Sequence, residues 1–195
     1  MLDPAEVDAL LAACRMVRDR AMFEAMVLGG LRRCEVLGLR LGDLDGARRQ
    51  VFIVEGKGGH QRQIPISARW FTTVGDYLRV ERPDTDTDRV FVVLKGQRRG
   101  RPLSDEGLKQ VFVSARERAG LRHITCHELR HTCFTRLREA GMELEALQAQ
   151  AGHRSIETTR LYVHLANEWL AEEYDRATAV IDADVFLAAA EGIGR

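Results

Sequence analysis

Residues 125–164 are TCHELRHTCFTRLREAGMELEALQAQAGHRSIETTRLYVH, and several candidate functional side chains lie within this stretch. Thr125 and Glu128 have the spacing of a capping box, in which each side chain bonds the other residue's backbone N–H. The helix is expected to end at Ala140 and Gly141, because a glycine commonly terminates a helix. The stretch therefore begins with one well-capped helix, and the rest of the chain supports it.

Two cation-capable side chains share a face of that helix. His127 and Arg130 stand three positions apart, which places them on the same side. Both carry several N–H donors, so together they suit an anion. After a second short helix around 143–150 the chain turns, presents His153 and enters a further helical turn that carries Tyr162. We therefore expect a phenol to lie beside cationic side chains.

The letters HELRH permit other interpretations. His127 and His131 with Glu128 between them match H-E-x-x-H, the pattern of a zinc-dependent hydrolase. A third ligand would be needed, for which Glu145 and Glu157 are candidates by type and distance only. The histidines could also be ordinary polar surface. From this stretch alone, phosphate chemistry, a zinc site and a plain helix surface all stay open.

Length and cysteine usage place the chain in a broad class. With 195 residues it can bury a core without cross-links. Its four cysteines lack the paired spacing of a zinc ribbon, and Cys126 and Cys133 share a helix face, which predicts core positions. No apolar run is long enough to span a membrane, and the start lacks the features of a signal peptide. We expect a soluble cytoplasmic protein without membrane contact.

The charge is distributed unevenly along the chain. The formal net charge is zero, which by itself argues against nucleic-acid binding. Residues 139–195, however, carry 11 acidic and 4 basic side chains, so residues 1–138 carry the compensating excess of positive charge. A loop at 95–101 has four cations and no acid, which predicts contacts to a DNA backbone through Lys95, Arg98, Arg99 and Arg101. A merely solvated loop is the common alternative.

Two more features precede that loop. Arg32 and Glu35 stand three apart after Gly29-Gly30, so the glutamate can orient the arginine and leave donors free for an anion. A surface ion pair is the usual meaning of this spacing. The segments 50–54 and 61–66 alternate as strands around a glycine-rich loop, which predicts a β-hairpin with Lys57 near its tip. A lysine at such a tip is ordinarily only a solvated charge.

Four motifs in this order, GGLRRCEVLGLRLGDLD, VEGKGGHQRQIPI, HELRHT and AGHRSIETTRLYVH, resemble the catalytic domain of the tyrosine recombinase (phage integrase) family. The resemblance covers nearly the whole chain and favours phosphate chemistry for HELRH. It implies an α+β, mainly α-helical fold with a small antiparallel sheet or hairpin. It also implies Tyr162 as nucleophile, Glu35 as a supporting acid, and a phosphate-activating set made of Arg32, Lys57, His127, Arg130 and His153.

The resemblance implies an activity and its partners. Members cleave and rejoin DNA at specific sites through a covalent 3′-phosphotyrosyl intermediate, without metal or nucleotide cofactor. The expected partners are double-stranded DNA and, on DNA, further copies of the chain in a tetrameric synaptic complex, with a monomer expected in its absence. Two alternatives of the same fold are a DNA-binding regulatory module that does not cut and a type IB topoisomerase.

The resemblance also implies a division of the chain. Residues 1–166 are expected to form the catalytic domain, and 167–195 a helical tail that packs in cis or on a neighbouring protomer. We expect a helix at 167–177 and then a second amphipathic piece containing Val180, Ile181, Val185, Phe186 and Leu187. Members usually carry an N-terminal DNA-binding domain, whereas this sequence begins at the catalytic domain, as a fragment or a naturally short member would.

Overall fold

The computed structural model describes residues 1–54, 61–121, 123–152 and 170–181. Its helices are α1 (Pro4–Ala12), α2 (Val17–Val27), α3 (Arg33–Gly38), α4 (Ala68–Asp76), α5 (Asp105–Arg118), α6 (Cys126–Glu139), α7 (Leu144–Ala151) and the helical residues 170–181, called α8. The strands are β1 (Leu44–Asp45), β2 (Gln50–Ile53) and β3 (Arg62–Pro65), which form an antiparallel sheet in the order β1-β2-β3. The mainly helical α+β class is confirmed.

Three helices begin at residues whose side chains cap them. In α1 the Asp3 side chain accepts from the Glu6 backbone N–H while the Glu6 side chain accepts from Asp3. Thr125 and Glu128 form the same reciprocal pair at α6, as the spacing predicts. Ser104 caps α5 by accepting from a backbone N–H three residues on. These caps satisfy donors that a helix otherwise leaves unpaired, so local sequence helps to fix where these three helices begin.

The main core surrounds α2. Met22, Phe23 and Met26 have no exposed surface, and the indole N–H of Trp70 on α4 donates to the Ala21 carbonyl at 2.8 Å. Helix α2 also packs against α6. Because α2 is covered on several sides, it serves as the rigid element from which the following turn and α3 project.

The helix after β3 is longer than its regular part. The helix begins at Ala68, and its last turn, Tyr77–Glu81, is a π-helical turn. There the Tyr77 hydroxyl donates to the Val90 carbonyl at 3.0 Å and accepts from the Val92 N–H at 3.2 Å. The buried phenol therefore anchors the apolar segment that leads into the basic loop.

A second cluster of buried side chains joins α6, α7 and α8. It consists of Cys133, Leu137, Met142, Ala146, Leu147, Leu170, Tyr174 and Ala177. The predicted break after Ala177 is wrong, because the helix continues to residue 181 and includes Val180 and Ile181. Val185, Phe186 and Leu187 lie outside the described residues.

A buried phenol fixes α8 to the body of its own chain. The Tyr174 hydroxyl donates to the Leu28 carbonyl at 2.5 Å and accepts from the Ser67 N–H at 3.1 Å. Of the two cysteines predicted for the core, Cys133 is buried and Cys126 is half-buried against the main core. Burial raises the pKa of the Cys133 thiol to about 12, which fits a structural position. Within the part of the chain that is described, no helix has the length and apolarity to cross a membrane.

Candidate catalytic site

The turn between α2 and α3 brings Arg32 against α6. Gly30 has φ +67°, and a Cβ placed there would lie 2.6 Å from the ring of Phe134 on α6. Only glycine satisfies both the left-handed backbone and this close approach. Arg32 then occupies the N-cap position of α3, with its side chain about a quarter exposed.

Three arginines surround the carboxylate of Glu35. Its Oε1 accepts from Arg32 Nη1 at 2.9 Å, and its two oxygens accept from Arg62 Nη1 and Nη2 at 3.0 and 3.1 Å. Arg130 Nη1 lies 3.9 Å from Oε2. The Glu35 side chain is 0% exposed, so the interpretation of Arg32 and Glu35 as a surface ion pair is wrong. We call these four residues the Glu35 cluster.

The electrostatics of the Glu35 cluster favour an anion. Burial raises the pKa of Glu35, but hydrogen bonds and charge from Arg62 and Arg32 outweigh it and hold the pKa below its ordinary value. Burial, helped by the positive charges of Arg32 and Arg62, lowers the pKa of Arg130 to about 10, which leaves it charged at neutral pH. Three guanidinium groups around one carboxylate leave an excess of positive charge. A phosphate can neutralise that excess.

Arg130 is held by backbone carbonyls as well as by charge. Its Nη2 donates to the Ala151 carbonyl at 2.9 Å, and its Nη1 donates to the Gly30 carbonyl. The guanidinium also lies 4.7 Å from the ring centroid of Phe134. These contacts come from α7, from the turn before α3 and from α6 itself. The arginine therefore has one fixed orientation, which suits a donor that must stabilise developing charge.

A cavity of about 340 Å³ opens beside the cluster. It brings together three of the predicted site residues, Arg32 from the N-cap of α3 with His127 and Arg130 from one face of α6, as the three-residue spacing predicts. Asp105, the first residue of α5, also lines the cavity and forms an ion pair with Arg33. The full lining is Leu31, Arg32, Arg33, Cys34, Asp105, Cys126, His127 and Arg130.

The geometry of HELRH favours the anion interpretation over the zinc interpretation. Glu128 Oε2 accepts from the Thr125 N–H at 2.7 Å and from the Thr125 hydroxyl at 3.0 Å, so the helix cap occupies the carboxylate that a zinc hydrolase would need as its base. His131 interacts with Thr135 on its own helix. Within the described ranges no three His, Cys, Asp or Glu residues cluster as a metal site would require. Glu157 lies outside those ranges.

Three predicted site residues, Lys57, His153 and Tyr162, lie outside the described residues. The described neighbours of two of them meet at the Glu35 cluster. Arg62 follows Lys57 by five positions and binds Glu35, and Gly152 directly precedes His153 and contacts Arg62. The described residues Arg62 and Gly152 therefore lie at or beside the same buried carboxylate.

The predicted DNA-binding loop forms a separate region. Lys95, Arg98, Arg99 and Arg101 are all exposed. The loop is closed by a bridge between Val92 and Pro102. Lys95 and Arg98 line a cavity of about 600 Å³ along α5, and none of the four residues lines the cavity beside Arg130. The structure therefore separates the four loop cations from the Glu35 cluster.

Arg62 is the member of the cluster that was not predicted. A signal was present in the sequence, because Arg62 stands two and four positions before the buried Ile64 and Ile66. Alternate residues of a strand share a face, so Arg62 lies on the buried side. A charged residue at such a position requires a partner, and a buried carboxylate is the partner that this pattern indicates.

Comparisons with known proteins identify the family of the chain. Residues 1–168 match the phage integrase family. Tyrosine recombinase XerC 2 of Ralstonia nicotianae is 35% identical over 90% of this chain and 52% of its own length. Tyrosine recombinase XerD of Lacticaseibacillus casei is 37% identical over 90% of this chain and 61% of its own length. The chain thus spans little more than half of these relatives.

Solved structures show the same fold. The XerA recombinase superposes with a TM-score of 0.71 at 28% identity, over 90% of this chain and 64% of its own. XerH bound to a palindromic difH substrate in a post-cleavage complex superposes with a TM-score of 0.64 at 26% identity, over 88% of this chain and 51% of its own. The sequence match, the superpositions and the arginine-rich site lead to one assignment: the chain belongs to the phage integrase family, whose relatives here are tyrosine recombinases.

Proposed function

We propose that this chain is the catalytic part of a site-specific DNA recombinase that cleaves and rejoins strands through a covalent 3′-phosphotyrosyl intermediate. The observation that carries the proposal is the Glu35 cluster beside a cavity lined by Arg32, His127 and Arg130. Fixed guanidinium and imidazole donors around an open cavity suit a phosphodiester better than any neutral substrate. The relatives named XerC and XerD support the same reaction.

The reaction follows from the donors that the site offers. The phenol of Tyr162 gives its proton to water, and its oxygen forms a bond to phosphorus. The attacked phosphate passes through a pentacoordinate state with added negative charge, which Arg32, His127, Arg130 and His153 stabilise more than they stabilise the ground state. The bond from phosphorus to the 5′-oxygen then breaks, and that oxygen takes a proton. The 3′-phosphate remains on Tyr162, so a 5′-hydroxyl can reverse the step.

Lys57 is the proposed source of the proton for the 5′-oxygen. An alkoxide is a strong base, so its departure is faster when an acid protonates it. The charge that a metal ion would otherwise supply comes here from side chains, and we expect neither a metal nor a nucleotide cofactor to be needed. A reaction that retains the energy of the phosphodiester needs no such cofactor for rejoining.

Duplex DNA and further copies of the chain are the proposed partners. XerH was solved on its difH substrate, which supports a DNA duplex as ligand. The exposed cations of the loop 95–101 suit the phosphates flanking the cleavage position. Exchange of strands between two duplexes requires four cleavages, so we propose a tetramer on DNA formed from monomers. A DNA-acting protein of this kind would work in the cytoplasm.

The proposal is tested by trapping the adduct. Wild-type protein is incubated with a pool of duplexes of random sequence that carry a nick, so that cleavage releases a short strand and cannot reverse. Denaturing capture of protein-linked DNA, followed by sequencing, defines the site. Tyr162→Phe should bind the captured duplex with unchanged affinity and form no adduct. DNA binding without any adduct from the wild type would indicate a non-cleaving regulatory module, and an adduct that persists in Tyr162→Phe would refute the nucleophile.

A further inference from the structure

We propose that Arg62 is a positioning residue of the active site, which locks the strand behind Lys57 and the turn before His153 onto the carboxylate that orients Arg32. This inference rests on the proposed function. Arg62 donates to Glu35, and its guanidinium lies beside Gly152. Arg62 does not line the cavity beside Arg130, so its role is to fix other groups.

The ion pair between Arg62 and Glu35 is bidentate. Nη1 and Nη2 of Arg62 donate to Oε1 and Oε2 of Glu35 at 3.0 and 3.1 Å. The Arg62 side chain is 13% exposed and that of Glu35 is 0% exposed, so the pair is shielded from water. A planar fork facing a carboxylate fixes both groups in rotation as well as in distance, which a lysine ammonium cannot do.

The other side of the Arg62 guanidinium lies against the end of α7. Gly152 has φ +65°, and a Cβ added there would lie 3.0 Å from Cζ and Nη1 of Arg62. A side chain at this position would be strained by the left-handed backbone and would crowd the guanidinium. His153 is the next residue in the chain. The position of the turn at Gly152 therefore depends on where Arg62 lies.

Arg62 thereby joins parts of the chain that are far apart in sequence. It stands at the start of β3, directly after the segment that holds Lys57. Through Glu35 it reaches Arg32 on α3, and Glu35 lies 3.9 Å from Arg130 on α6. Ala151, the residue before Gly152, accepts from Arg130 at 2.9 Å. One guanidinium therefore connects the chain segments of the five proposed phosphate-activating residues.

The charge of Glu35 allows the role of Arg62 to be tested through the pH dependence of the cleavage rate as well as through stability. Glu35 is faced by Arg32 from the N-cap of α3, by Arg62 from β3 and by Arg130 from α6, and it shares a small cavity with Arg40 and Asp43. Burial raises the pKa of Glu35, and the contacts of Arg62 are foremost among those that lower it. Without Arg62, Glu35 would take up a proton at higher pH, and a neutral Glu35 would hold Arg32 less firmly.

The test compares Arg62→Gln and Arg62→Lys with the wild type on the nicked duplex from which the wild type forms its adduct. Adduct formation is measured in single turnover at saturating protein from pH 5 to 8, and DNA affinity is measured separately. We expect Arg62→Gln to lose roughly 10- to 100-fold in cleavage rate at unchanged affinity, since small misplacements of catalytic groups cost about that much. Arg62→Lys should recover only part of the rate because it keeps the charge and loses the fork.

The pH profile separates positioning from mere folding. In Arg62→Gln the rate should fall off at higher pH than in the wild type, because the carboxylate that orients Arg32 protonates earlier. The double variant Arg62→Gln with Glu35→Gln should lack this acid-side decline, since the titrating group is gone. Arg79→Gln, which removes an exposed pair with Asp76, is the matched control and should behave as the wild type.

Several results would overturn the inference. One is a cleavage rate within twofold of the wild type in both Arg62 variants, and another is a loss confined to DNA affinity. A rate that falls only in proportion to the unfolded fraction, with an unshifted pH profile, would make Arg62 purely structural. If Arg62→Gln does not fold, Arg62→Lys decides, and failure of both to fold would also refute a positioning role. Failure of the wild type to form an adduct would instead refute the proposed function.

Discussion

Two regions of the molecule are rich in arginine, and they differ in how their charges are held. In the Glu35 cluster, Arg62 and Arg130 are largely buried and each makes hydrogen bonds to fixed partners. In the loop 95–101 the four cations are exposed. Fixed donors can stabilise charge that develops in a transition state, whereas exposed cations mainly attract a polyanion from solution. The comparison therefore predicts that the cluster governs rate and the loop governs affinity.

The largest expected effect is on the cleavage rate, and it distinguishes the proposed acid, Lys57, from the fixed charge donor, Arg130. Lys57→Ala and Arg130→Ala should each slow cleavage of ordinary DNA, by ~10²–10⁴-fold for loss of an acid and ~10²–10³-fold for loss of a fixed charge donor. On a substrate whose bridging 5′-oxygen is replaced by sulfur, the thiolate needs little protonation. Lys57→Ala should then recover and Arg130→Ala should not, as measured by adduct formation in single turnover.

Equal defects of Lys57→Ala on both substrates would change the assignment. The lysine would then position phosphate or DNA, and His127, which lines the cavity beside Arg32 and Arg130, would be the next candidate for the acid. Arg79→Gln serves as the control for a change of positive charge at an exposed pair, and it should cleave both substrates as the wild type does.

The second prediction concerns the stability of the cluster itself. Glu35→Gln removes the carboxylate from among three arginines and leaves their charges without a buried partner. Breaking a buried pair in this way costs ~3–5 kcal/mol of unfolding free energy. Asp76→Asn, which breaks the exposed pair with Arg79, should cost ~0–1 kcal/mol. Urea unfolding of both variants measures the difference, and equal losses would mean that burial contributes nothing special to the cluster.

The sequence predicted those parts of the site that lie close together in the chain. Arg32 with Glu35, and His127 with Arg130, stand three positions apart, and helical geometry fixes such pairs. The spacing could not show that Glu35 is buried, because burial depends on the strand and helices packed around it. The contact of Arg62 with Glu35 spans 27 positions, and no local rule fixes a distance of that kind.

The same distinction, between interactions that are local in sequence and interactions that are not, explains which features of the fold were predicted and which were missed. The cap at Thr125 was predicted because the side chain and the N–H that it binds are three residues apart. The short strand β1 was missed, since its two residues are defined only by pairing with β2. The continuation of α8 past Ala177 was also missed, because its packing on α6 and α7 is not visible in a local pattern.

The third prediction uses acid to weaken the cluster. The pKa of Glu35 is held below its ordinary value of 4.5, so its charged form stabilises the folded state above that value. The contribution is lost as the pH falls through the lowered pKa, when the buried carboxylate becomes protonated. The difference in unfolding free energy between the wild type and Glu35→Gln should therefore be constant near neutrality and shrink below pH 4.5. A difference independent of pH would show that the charge of Glu35 does not carry the stabilisation.

The smallest expected effect belongs to the basic loop and completes the comparison. Arg98→Gln, Arg99→Gln and Arg101→Gln together remove three exposed positive charges. If each arginine neutralises a phosphate, the slope of log Kd against log salt should decrease by about 0.9 for each phosphate that is no longer neutralised. Fluorescence anisotropy on the captured duplex at several salt concentrations measures that slope. At saturating protein the cleavage rate should stay at the wild-type value, because these side chains do not line the cavity beside Arg130. An unchanged slope with a reduced rate would reverse the assignment and place the loop in the catalytic step, since charges that merely gather DNA act before the DNA is bound.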